Sequence, residues 1–187
     1  MSIMAGFAIL IVEATNKLYQ RLHSINFGVY GASMAGKTTL HNQLRTRGEV
    51  PTIKERTVGR KRATRKYVIF MLDDRHLSKH YDIEQQLCWT FLVDTICSNE
   101  WYYNGKRVKK KQSDYPIAVG LWANKYDLWK DKYDYEGDMA NHPIFESFKT
   151  GMQKLNDKGI PCYKYVVSAK SDSEMVYRGI LTMIKDY

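Results

Sequence analysis

Apolar runs alternate with amphipathic stretches along this chain, and the alternation predicts strands and helices in turn. Residues 25–32 (INFGVYGA) read as a buried strand and residues 38–47 as a helix. Residues 67–74 (YVIFMLDD) read as a second strand, apolar until two acids close it. Residues 81–102 place Ile83, Leu87, Phe91, Leu92, Ile96 and Trp101 at a helical period. Residues 116–127 (PIAVGLWANKYD) predict a third strand running into a loop. Residues 143–158 predict a helix stopped by Gly159-Ile160-Pro161, residues 162–170 (CYKYVVSAK) a fourth strand, and residues 173–186 a last helix. Strands that are apolar throughout and separated by helices imply an α/β fold, three layers α/β/α, with a mainly parallel central sheet covered on both faces. In such sheets ligands sit at the carboxyl ends of the strands.

Two stretches fall outside that pattern. Residues 3–22 set Ile3, Phe7, Leu10, Ile11, Leu18 and Leu22 at near-helical spacing, which predicts an N-terminal helical extension (residues 1–24) packed on the domain. A membrane anchor lying in the interface plane is the other reading, but the polar half of the stretch mixes charge signs. The apolar run within it is too short to span a bilayer. Residues 45–66 hold nine Lys/Arg and two Glu without an apolar period, and read as a loop.

Composition narrows the setting. The 187 residues suit one domain, and a 44% apolar content predicts collapse around a core. The formal charge of +9 implies acidic partners of some kind. Three cysteines, Cys88, Cys97 and Cys162, lack metal or redox spacing and read as reduced thiols of a cytoplasmic protein.

The chemistry starts at residues 31–38, GASMAGKT, which fit G-x-x-x-x-G-K-[ST] between a predicted strand and a predicted helix. Gly31 and Gly36 let the backbone curl so that the N–H groups of Ser33, Met34 and Ala35 face one concavity. The following helix turns its free N–H groups toward the same anion. Lys37 reaches the outer phosphates, and the Thr38 hydroxyl can hold a magnesium ion that keeps most of its waters. At the third strand's end stand Asn124-Lys125-Tyr126-Asp127. The Asp127 carboxylate accepts the two adjacent N–H donors that guanine offers and adenine does not. Asn124 can tie this loop to the phosphate loop, and the Lys125 stem can cover the base. Ser168-Ala169-Lys170 closes the fourth strand, with backbone donors for the guanine carbonyl.

Taken together and in this order, these motifs resemble a Ras-like small GTPase over residues 25–187. The resemblance implies a P-loop NTPase fold, magnesium-dependent GTP binding, hydrolysis to GDP and phosphate, and a conformational switch read by regulatory or effector proteins. By position it assigns phosphate binding to Gly31, Gly36, Lys37, Thr38 and Thr39. It assigns guanine binding to Asn124, Lys125, Asp127, Ser168, Ala169 and Lys170.

The chain also departs from that pattern. No D-x-x-G element, which would place magnesium and the attacking water, follows the strand expected to carry it; Asp73-Asp74-Arg75-His76 has no glycine. Residues 67–74 fit the family's next strand better. A strand–turn–helix unit of roughly 30–40 residues is then lacking between about Arg65 and Tyr67. Either the natural chain carries that unit as an order–disorder sensor of the third phosphate, or it binds nucleotide without an ordinary switch; the basic stretch abutting the junction fits the first. Thr57, followed by Gly59, is the candidate switch threonine for catalysis and magnesium, with Thr52 as the alternative. Ser33 stands where many efficient family members have glycine, which implies slow intrinsic turnover.

Other features carry less. His76 and His80, one helical turn apart, read as a solvated helix start and not a metal pair. KRVKKK (residues 106–111) reads as a solvated loop, with an acidic membrane surface as the alternative contact. It lacks the aromatic interleaving of a strand-binding groove, so nucleic acid is not the expected partner. Trp122 reads as core. Trp129, Tyr133 and Tyr135 read either as an exposed aromatic patch for a protein partner or as packing against the last helix.

Overall fold

The computed structural model describes residues 27–46, 67–73, 79–103, 105–133 and 135–184. The N-terminal extension and residues 47–66 lie outside them. In chain order the elements are β1 (Phe27–Gly31), α1 (Lys37–Thr46), β2 (Tyr67–Leu72), α2 (Lys79–Cys97), β3 (Glu100–Tyr103), β4 (Lys106–Lys109), β5 (Ala118–Ala123), α3 (Tyr126–Trp129), α4 (Lys149–Asp157), β6 (Cys162–Val166) and α5 (Ser173–Ile184). A run of 3-10 turns over Pro143–Phe148 leads into α4.

The central sheet has the order β1-β2-β5-β6, and every neighbouring pair is parallel. Period-2 alternation in the buried strands splits their side chains between two cores. Val68, Phe70 and Leu72 of β2 join Val119, Leu121 and Ala123 of β5 on one face, under Trp89, Leu92, Val93 and Ile96 of α2 and Leu155 of α4. Tyr67, Ile69 and Met71 join Trp122 on the other face, under Leu40 of α1 and Val176, Ile180 and Met183 of α5. Helices therefore cover both faces, the condition under which strands can be apolar throughout. On the first face Phe70, Trp89 and Phe148 pack ring on ring at 5.2–6.4 Å between centroids. The indole N–H of Trp89 donates to Phe148 O, which removes the cost of burying it.

Three expectations change. The helix over residues 81–102 ends at Cys97, and Trp101 belongs to β3 of an antiparallel β3–β4 hairpin. Its inward face is Gln85, Trp89, Leu92, Val93 and Ile96, whereas Ile83, Leu87 and Phe91 are exposed. α2 is apolar on more than one side, so periodicity alone did not select the side that meets the sheet. The KRVKKK run is not a loop: residues 106–109 form β4, and Lys110 turns inward. Its ammonium group caps the last turn of α2 through Thr95 O (2.5 Å) and Ile96 O (3.0 Å) and lies 4.2 Å from the Trp101 ring centroid. Desolvation there lowers the Lys110 pKa. Finally, Trp129 is fully buried and stacks edge-on with Tyr126, Tyr133 and His142, so it is core and not an exposed aromatic patch.

Candidate functional site

The turn between β1 and α1 is shaped by what its neighbours leave room for. Gly31 has φ +140°, and a Cβ on it would lie 2.2 Å from Met71 O of the adjoining strand. Gly36 has φ +97°, and a Cβ there would lie 2.1 Å from Asn124 Nδ2. Neither position accepts a side chain without displacing backbone or a buried amide. Between them Met34 adopts φ +60° with its side chain in solvent, while Ala35 is fully buried. The Leu40 N–H donates to Gly36 O at 2.9 Å and fixes the start of α1. Lys37 curls back over the turn, its ammonium group donating to Gly31 O (2.9 Å) and Ala32 O (2.5 Å). A positive group is thus held by two carbonyls of the turn at the start of a ten-residue helix, while the Ala35 N–H donates to Ala32 O at 3.4 Å. Thr38 is exposed and Thr39 half-buried on the first turn.

At the end of β5 the chain leaves the sheet through Asn124, which is buried and bonded on both ends of its amide. Nδ2 donates to Ala35 O at 2.9 Å, and Oδ1 accepts from the Ala169 N–H at 3.0 Å. Its backbone N–H donates to Leu72 O, and its carbonyl accepts from the Trp129 indole N–H at 2.7 Å. One side chain therefore joins the phosphate-type turn, the NKYD segment and the SAK segment. The Asp127 N–H donates to Ser168 Oγ at 2.9 Å, a second tie between the latter two, and the Asp127 side chain is solvent-exposed. Lys170 is exposed as well, and its carbonyl accepts from Gln43 Nε2 of α1 at 3.4 Å.

Lys125 sits in the left-handed region, φ 62° and ψ 35°, where its ammonium group meets Asp73 Oδ2 at 2.7 Å. The Asp73 side chain is fully buried at the end of β2. Its backbone is clamped by Gln85, which accepts from the Asp73 N–H at 2.9 Å and donates to Asp73 O. Asp73 thus braces the NKYD lysine, a role the sequence did not reveal beyond an acid closing a strand. Gln85 was also missed; the available signal was a glutamine four residues before Trp89 on the face that meets the sheet. A third contact not foreseen joins α2 to the turn: the Ser33 N–H donates to Glu84 Oε1 at 3.1 Å.

The structure thus gathers residues 31–39, Asn124, Lys125, Asp127, Ser168, Ala169 and Lys170 at one end of the sheet. Thr52 and Thr57 lie outside the described residues. Among those residues no group of three or more His, Cys, Asp and Glu is placed to hold a metal ion by itself. The oxygen-only chemistry of the Thr38 hydroxyl on the first turn of α1 still fits magnesium, which takes one or two protein oxygens and completes its shell with phosphates and water. Burial raises the thiol pKa values of all three cysteines, that of Cys162 to about 12, so none is a ready thiolate at neutral pH.

No family model matches the chain, and no curated protein sequence matches it. A crystal structure of an SsGBP mutation variant aligns at 17% identity with a TM-score of 0.44, over 97% of this chain and 63% of that one. The chain therefore spans less than two thirds of that structure's length.

Proposed function

We propose that this chain is a P-loop protein of the Ras-like G-domain class, a molecular switch that binds GTP and GDP and hydrolyses GTP slowly. The observation that carries the reading is the Asn124 side chain, bonded at once to Ala35 O and to the Ala169 N–H. A phosphate cradle and a base-reading carboxylate serve one nucleotide only when fixed relative to each other, and this amide fixes them. In the proposed complex N–H groups of the turn and of the first turn of α1 hold phosphate oxygens, and Lys37 turns from the Gly31 and Ala32 carbonyls to the outer phosphates. The Asp127 carboxylate pairs with the guanine N1 and exocyclic amine, and the Lys125 stem, held by Asp73, covers one base face. Magnesium would rest on the Thr38 hydroxyl, where it would neutralise charge on the outer phosphates. Ser33, at a position where many efficient Ras-like members have glycine, supports slow turnover.

A second reading is a guanine-nucleotide scaffold without turnover. It is favoured by one specific observation: Lys66 runs directly into Tyr67, and residues 47–66 contain no aspartate that could begin D-x-x-G. Steady-state GTP hydrolysis separates the two readings. Regulatory or effector proteins are proposed partners of either form, and the exposed cations of β4 suit an acidic membrane surface.

Base recognition is tested by Asp127→Asn, which replaces a two-fold acceptor by an amide. Binding should fall for GDP and rise for xanthosine diphosphate, reversing a preference of at least about tenfold. Unchanged preference, or tighter binding of adenine nucleotides by the unsubstituted chain, would return the protein to the wider class of P-loop ATPases and kinases.

A further inference from the structure

The contact between α2 and the phosphate turn has a consequence for which nucleotide the site holds. Ser33 lies between Gly31 and Gly36, in the turn between β1 and α1. Its N–H donates to the carboxylate of Glu84, 51 residues further along. Glu84 stands on α2 one residue before Gln85, whose two hydrogen bonds to the Asp73 backbone pin that turn of the helix to the end of β2. The carboxylate is therefore delivered by a rigid element and not by a freely moving loop.

A phosphate turn binds anions through backbone N–H groups, and here a resident anion already holds one of them. A carboxylate and a phosphate oxygen compete for the same donor, and like charges this close repel. The repulsion grows with each phosphate that reaches the mouth of the turn. We propose that Glu84 is a specificity-determining residue that disfavours the third phosphate, so that the protein prefers a nucleoside diphosphate to the triphosphate. This rests on the nucleotide-binding reading above and adds to it a source of di- against triphosphate selectivity.

The test compares Glu84→Gln and Glu84→Ala with the unsubstituted chain, using calorimetry with GDP and a non-hydrolysable GTP analogue in the presence of magnesium. Glutamine keeps the shape and removes the charge. The ratio of triphosphate Kd to diphosphate Kd should fall about tenfold in both variants, about 1.4 kcal/mol. The difference from the unsubstituted chain should shrink at high salt, which a purely structural role would not produce. A ratio unmoved within about twofold in both variants, with thermal melts showing them folded, overturns the selectivity while leaving nucleotide binding in place. If the unsubstituted chain binds neither nucleotide, the functional reading fails first and this inference falls with it.

Discussion

At the scale of single residues, the Asn124 side chain joins segments that lie far apart in the chain. The motif N-K-x-D and a tie from Asn124 to the GASMAGKT turn were legible in the sequence, because three motifs stand in order at the ends of predicted buried strands. Its second bond, to the Ala169 N–H, was not legible, since nothing in the letters S-A-K says which backbone group is buried. Nor was the Lys125–Asp73 pair, whose partners are 52 residues apart and meet only because β2 and β5 are neighbours. Asn124→Ala would leave Ala35 O and the Ala169 N–H without these partners. At roughly 1–3 kcal/mol for each of these two buried groups left unmet, the variant should lose about 2–6 kcal/mol in urea denaturation. A loss under about 0.5 kcal/mol would mean that the bridge does not hold the loops together.

Among the elements, the strands were the most legible and α2 the least. Runs such as YVIFML can only be buried on both sides, so their place in a covered parallel sheet follows from composition alone. α2 carries apolar residues on two stripes, Ile83/Leu87/Phe91 and Trp89/Leu92/Val93/Ile96, and the sheet selects the second. The deciding feature, the ring packing of Trp89 against Phe70 and Phe148, is long-range and has no local signature. The two stripes should respond differently to substitution. Leu92→Ala should cost roughly 2–4 kcal/mol by removing buried methylenes. Phe91→Ala, on a side chain that is 76% exposed, should stay within about 0.5 kcal/mol. Equal losses in guanidinium melts would reverse the assignment of the inward face. The hairpin was missed because a lysine-rich strand at the surface reads as a solvated loop until Lys110 is seen capping α2.

For the molecule as a whole, one topological fact organises the site. All four central strands run in the same direction, so every carboxyl end, with its turn, faces the same edge of the sheet. Three short sequence motifs spread over about 140 residues thereby become one surface. The order of motifs gave this much in advance. It did not give the brace from β2 or the acid delivered by α2, because both depend on which strands become neighbours. Among the described residues no helix is long and apolar enough to cross a membrane. The central claim is that this surface grips one guanine nucleotide by its phosphates and its base together. Equilibrium binding of GDP to the unsubstituted chain and to Lys37→Ala, with ADP as the control, tests it most directly. The account predicts GDP binding that weakens about tenfold or more on losing the charged donor, and little or no binding of ADP. Equal affinity of the two chains for GDP, or equal affinity of either chain for GDP and ADP, would contradict it.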